Sequence, residues 1–146
     1  MNDRRAGETA GAVSGSGSES SGRHEPTRGL YGWITHTDLA SNDPAATRAW
    51  CASVFGWRFQ PPMPLPGGEY HLFAYSDQGG GGIRPVNPQE MPGSIPYVHV
   101  EDARAAFEKA LVEGAEEMMP LTQVMEGVTI AIVRAPGGVP VGISGP

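Results

Sequence analysis

The sequence predicts an α+β protein built from two βαβββ units in tandem. Three observations carry this. Two helical stretches are punctuated alike, by Asp43 with Gly56 and by Asp102 with Gly114, 13 and 12 residues apart (43 to 56, 102 to 114). A strand precedes each helix, and three strand candidates follow it. The two copies recur at a period near 60 residues, the mark of a duplicated module whose halves share one core.

The elements follow in order. Residues 33–40 have strand character, and "NDP" then opens a helix with Asp43 as N-cap and Pro44 in its first turn. Ala46, Trp50 and Val54 recur at four-residue spacing, which predicts the buried face of that helix. "WRF", "YHLFAYS" and "GGGGIRP" read as strands, with "SDQGG" turning between the last two. In the second unit residues 95–100 form the strand, and Ala103, Ala106, Phe107, Ala110 and Leu111 form an apolar helical stripe. "EEMMP", "GVTIAIVRA" and "VPVGISG" are its remaining strands. "QPPMPLPGG" and "PVNPQEMPG" read as loops, because proline donates nothing to a sheet ladder.

Composition narrows the function. The chain has 146 residues, enough for one core without covalent staples. Its single cysteine, Cys51, excludes an internal disulfide and a cysteine zinc cluster, and a reducing, cytoplasmic location is expected. Cys51 has no activating setting and is not the expected nucleophile. No apolar run approaches the ~20 residues that cross a membrane, and the N-terminus lacks the apolar core of a secretory signal. Residues 1–28 are rich in Gly, Ser, Glu and Arg and are expected to be a disordered tail, with no role for His24. The folded domain is expected over 29–146, with modules at about 31–86 and 94–146. The charges of the tail cancel, so the net charge of −6 belongs to the domain and disfavours nucleic acid as a partner.

"ITHTDLASNDPAATRAWCASVFGW", "YVHVEDARAAFEKALVEGA" and "VRAPGGVPVGIS" resemble the vicinal oxygen chelate superfamily, which includes glyoxalases, bleomycin-resistance proteins and ring-cleaving dioxygenases. The resemblance covers about residues 31–145. It implies that the modules form a curved, barrel-like mixed sheet around one small-molecule cavity, and it makes a homodimer the expected assembly. Metal-dependent members draw His or Glu ligands from four strands. By the resemblance those positions are His36, Ile95, Gly82 and Gly142 here. One donor in four predicts no metal and no cofactor; a residual set of His36, His99 and Asp38 is the alternative.

Strand alternation assigns the faces. Pro96, Val98 and Val100 suit the surface beneath the second helix, which turns Tyr97 and His99 to the other side. In the first strand Trp33 and Leu39 fall on the helix side, and Ile34, His36 and Asp38 on the cavity side. His99, His36, Asp38 and Tyr97 are therefore the candidate catalytic residues. His99 can serve as base and then acid near neutral pH, while Asp38 or Tyr97 orients an imidazole or donates to a developing oxyanion. Trp57, Glu69, His71 and Arg134 are candidate substrate contacts. Two functions fit. One is a metal-independent lyase or isomerase, moving protons on a small oxygenated molecule by isomerisation, cyclisation, dehydration or ring opening. The other is a non-catalytic, drug-sequestering binding protein.

Overall fold

The computed structural model describes residues 29–146; the tail expected at 1–28 lies outside them. Nine strands and two helices follow in the order β1 (Ile34–Ser41), α1 (Pro44–Phe55), β2 (Arg58–Phe59), β3 (Met63–Leu65), β4 (Gly68–Ala74), β5 (Gly80–Pro85), β6 (Gly93–His99), α2 (Ala103–Val112), β7 (Glu116–Met125), β8 (Val128–Arg134) and β9 (Pro140–Gly145). The sheet order is β2-β4-β5-β1-β6-β9-β8-β7, with β3 paired to β4. The two halves of that order mirror each other, and the β1–β6 antiparallel ladder joins them. Each half closes with a parallel pair, β1 with β5 and β6 with β9. The expected pair of βαβββ modules in one curved mixed sheet is therefore the observed fold. The added element is β3, which forms within the proline-rich stretch expected to be a loop; as an outer strand on β4 it tolerates Pro64.

Local chemistry sets the helix ends. The Asp43 carboxylate accepts from Ala46 N at 3.1 Å, and Asp102 accepts from Ala105 N at 3.0 Å, each cap contributing about 1 kcal/mol. Gly56 ends α1 in the left-handed conformation at φ +69°. Helix α2 buries Ala103 and Phe107 against Ala131, Val133 and Ile143. At about 1.5–3 kcal/mol for each large side chain removed from water, this cluster is a main source of stability.

Helix α1 departs from the expected phase. Trp50 and Val54 are 57% and 54% exposed, while Cys51 is buried. The face against the sheet carries Cys51 with the polar Thr47 and Arg48. Thr47 bonds Ser41 Oγ at 2.7 Å, and Arg48 donates to Gln60 O at 2.8 Å and stands over the Phe59 ring. These polar anchors fix the rotation, so the apolar spacing marked the wrong face. Trp50 instead sits edge-on to Phe55, which leans on Trp57. Trp33 also lies outside the core at 57% exposure, beside a register shift in β1 between Ile34 and His36.

Candidate functional site

Register separates the two sheet faces. Leu39 lies opposite Ile83, which lies opposite His71, and Val98 lies beside Ile143 under α2. These residues define the helix face. The inner face carries the alternating set: His36 and Asp38 on β1, Tyr70 on β4, Gly82 and Arg84 on β5, Ile95 and Tyr97 on β6, and Gly142 on β9. His36 stands directly opposite Tyr97, and Asp38 opposite Ile95.

Two glycines make this face. A Cβ on Gly82 would lie 2.0 Å from the Tyr70 ring and hydroxyl, and one on Gly142 would lie 2.4 Å from the Tyr97 ring. Each strand thus omits a side chain so that a tyrosine can lie flat across it. The four positions at which the resemblance implies metal ligands now read as one imidazole, one isoleucine and two glycines roofed by phenol rings. Among the described residues, no group of three or more His, Cys, Asp or Glu is placed to hold a metal ion. The donor set does not fit a metal.

A polar chain runs through the site instead. His36 Nε2 is 3.2 Å from the Tyr70 hydroxyl, which is 3.5 Å from Asp38 Oδ1. Asp38 Oδ2 accepts from Arg84 Nε at 2.6 Å. Arg84 then forks onto Glu90, NH1 to Oε1 at 2.7 Å and NH2 to Oε2 at 2.8 Å. A carboxylate only accepts, so Tyr70 gives its proton to Asp38 and its oxygen accepts from His36 Nε2–H. That order, assigned from the hydrogen-bond network, leaves the lone pair on His36 Nδ1. The Tyr97 ring lies edge-on to His36, with centroids 5.5 Å apart.

Burial sets the protonation states. Desolvation lowers the His36 pKa below its ordinary value, opposed by the charge of Asp38, so the imidazole is neutral near pH 7. Desolvation, then Asp38, pushes Tyr97 up to about 12. Tyr70 is raised for the same two reasons, so both phenols keep their protons. Glu90 is lowered, first by its hydrogen bonds from Arg84. Arg84 is raised, first by Glu90 and against its own desolvation, with Asp38 adding to the rise.

His36, Asp38 and Tyr97 thus come together. His99 is buried at 3% exposure, two residues beyond Tyr97, where it stacks on Tyr31 with centroids 5.5 Å apart. Its backbone bonds Trp33 O and Gly32 N at 2.7 and 2.8 Å. The expected substrate contacts lie elsewhere. Tyr70 faces in, so its neighbours Glu69 and His71 face the helix, where Arg48 NH1 bonds His71 Nδ1 at 3.1 Å. Trp57 stacks on Phe73, on that same side. Arg134 is exposed at the end of β8, 3.4 Å from Gly138 O. Tyr70 and Glu90 complete the cluster without having been singled out, together with Arg84, a strand residue whose face the sequence leaves open. The available signal was Gly82: an inward glycine on a strand needs a large side chain above it. A separate open cleft of about 550 Å³, beside the N-terminus of α1, shares no residue with the cluster.

Comparisons with known proteins agree with this architecture. No protein-family model matches the chain. It is 28% identical over 126 residues to proteins named "Putative glyoxylase CFP32" in Mycobacterium bovis and Mycobacterium tuberculosis, covering 83% of this chain and 47% of theirs. The chain therefore spans about half the length of these curated relatives. Among solved structures, methylmalonyl-CoA epimerase from Mycobacterium tuberculosis aligns with a TM-score of 0.63 at 16% identity, over 86% of this chain and 95% of that one. A hypothetical protein, BH1468, from Bacillus halodurans aligns with a TM-score of 0.62 at 11% identity, over 77% and 92%. Streptomyces coelicolor methylmalonyl-CoA epimerase, in complex with 2-nitronate-propionyl-CoA, aligns with a TM-score of 0.60 at 15% identity, over 78% and 94%. These likenesses establish the fold.

Proposed function

We propose that this chain, which has the vicinal oxygen chelate fold and glyoxalase-like relatives, is a metal-independent acid–base enzyme acting on a small oxygenated organic molecule. The observation that carries the reading is the His36–Tyr70–Asp38 chain, with steps of 3.2 and 3.5 Å and the Tyr97 ring edge-on to the imidazole, in which the assigned tautomer leaves His36 Nδ1 a lone pair. His36 Nδ1 takes a proton from a carbon beside a carbonyl. The electron pair of that C–H bond forms a carbon–carbon double bond as the carbonyl π pair moves onto its oxygen, where the phenol of Tyr97 donates to the growing negative charge. Asp38, through Tyr70, stabilises the imidazolium that forms. Return of the proton from the His36 imidazolium to the same or a neighbouring carbon completes an isomerisation; loss of a hydroxyl or ring oxygen from the carbon adjacent to the deprotonated one, protonated by that imidazolium as its C–O bond breaks, completes a dehydration or ring opening. The epimerase neighbours support proton transfer of this kind by analogy of fold. His99, beneath Tyr31, is the second candidate proton carrier, and a homodimer is the proposed assembly.

A binding-only role, like that of drug-sequestering proteins, is favoured by one observation: the polar groups of the cluster already satisfy one another. The test is solvent-proton exchange. A panel of uncharged ketones, aldehydes and lactones is incubated with the protein in deuterated water and followed by NMR. Protein-dependent deuterium beside a carbonyl supports the enzyme, and His36→Asn should slow it by about a hundredfold or more. His99→Gln ranks the second histidine. Exchange at equal rates in wild type and His36→Asn rules out His36 as the base. Binding with no exchange anywhere in the panel favours sequestration.

A further inference from the structure

We infer that Glu90 sets the charge selectivity of this site: it is a built-in counter-anion on Arg84, so the site accepts uncharged carbonyl compounds and turns carboxylates away. The inference deepens the proposed function and rests on the inner face being the substrate site.

Arg84 is the cation of the cluster among the described residues, and four of its five N–H donors are in use. Nε serves Asp38, and the two terminal nitrogens serve both oxygens of Glu90. NH1 also reaches Pro85 O at 3.2 Å. The fork-to-fork pairing with Glu90 is the geometry that a substrate carboxylate would seek, and it is filled from within the chain. Two carboxylates against one guanidinium leave the group with one net negative charge beside a neutral His36. The side chains of Arg84 and Glu90 are only 17% and 26% exposed, so water screens that charge weakly. An incoming carboxylate would meet like charge and no open pair of Arg84 donors to grip both of its oxygens. An uncharged carbonyl needs only a phenol.

The connection between β5 and β6 is shaped to present Glu90. Its Oε1 accepts from Asn87 N at 2.8 Å, and its own N donates to Asn87 O at 2.9 Å. Between them Gln89 adopts φ +68°, in the left-handed region that a glutamine seldom occupies. Such a conformation persists where its surroundings impose it, and here it turns the chain so that Glu90 returns over Arg84.

The test compares benzoate with benzamide as probes, by ligand-observed NMR on the full chain at low ionic strength. Glu90→Ala frees the terminal nitrogens of Arg84. It should raise benzoate affinity by about tenfold or more while changing benzamide affinity less than about twofold. Glu90→Gln keeps the side-chain shape and the Asn87 contact but loses the charge; it should move benzoate the same way by less, and it carries the test if the alanine variant does not fold. Two outcomes overturn the inference: no gain in benzoate affinity in a folded Glu90 variant, or wild type holding benzoate more tightly than benzamide. Neither depends on turnover. Failure of the proton-transfer reading would appear as missing deuterium exchange, with this comparison still decided.

Discussion

Replacing Gly142 with alanine should distort the site through a single methyl group. Its backbone is outside the left-handed region, so alanine is conformationally acceptable and the cost is steric. The new Cβ would lie 2.4, 2.5 and 2.6 Å from Tyr97 Cδ1, Cγ and Cε1. Ordinary carbon contacts are about 3.5–4.0 Å, so the ring must withdraw by about 1 Å. Cγ is one bond from the Tyr97 Cβ, so it moves only with the backbone or through a new rotamer. Overpacking of this kind costs about 1–3 kcal/mol. Removing the ring by Tyr97→Ala costs about 3–5 kcal/mol, on the scale of a buried phenylalanine. Acting independently, the two would sum to about 4–8 kcal/mol. In the double variant, however, the methyl has no ring to strike. It should be no less stable than Tyr97→Ala alone, a coupling of at least about 1 kcal/mol. Urea unfolding of the four proteins, with equal m-values as the check on two-state behaviour, measures the cycle. Costs that add to within about 0.5 kcal/mol would refute the placement of Tyr97 across Gly142.

Other expectations are separable. His36 has a folded pKa below its unfolded value, so its unfolded form binds more protons in between. Its contribution should be complete above the ordinary histidine range and be lost as pH falls toward the lowered value. Urea midpoints measured from pH 8 to 5 should fall less steeply in His36→Asn, and an unchanged slope would deny the burial. Phe107→Ala should cost about 3–5 kcal/mol, because the ring is 7% exposed in the α2 core; a near-neutral midpoint would mean that α2 is rotated. Trp50→Ala should cost less than about 1 kcal/mol, since the residue is more than half exposed; a larger loss would restore the helix phase suggested by its spacing.

The fold was legible because its signals are local. Asp43, Gly56 and Asp102 act within one turn of their own helices, and the repeated order of elements showed the duplication. The face of β6 was also legible, since Val98 beneath α2 leaves Tyr97 on the other side. What escaped depended on partners distant in sequence. The phase of α1 is set by Arg48 meeting His71, 23 positions away, and by Thr47 meeting Ser41. Periodicity cannot see a polar anchor, so it chose Trp50. Tyr70 was missed because the inward face of β4 is set by pairing with β5, and a glycine-rich strand carries no alternation to read. Glu90 sits in a turn whose course rests on one unusual backbone angle.

The β1–β6 seam has a consequence for how the chain can be taken apart. Each half completes its own ladders within a continuous stretch, residues 34–85 and 93–145. A cut between Met91 and Gly93, where Met91 is 82% exposed, severs no strand pairing. Two separately made fragments should therefore recombine into the whole sheet. A lone fragment would bare the edge of β1 or β6, with its unpaired amides and carbonyls, and recruit another strand. The half-chain, a repeat within one molecule, should therefore be exchangeable between two.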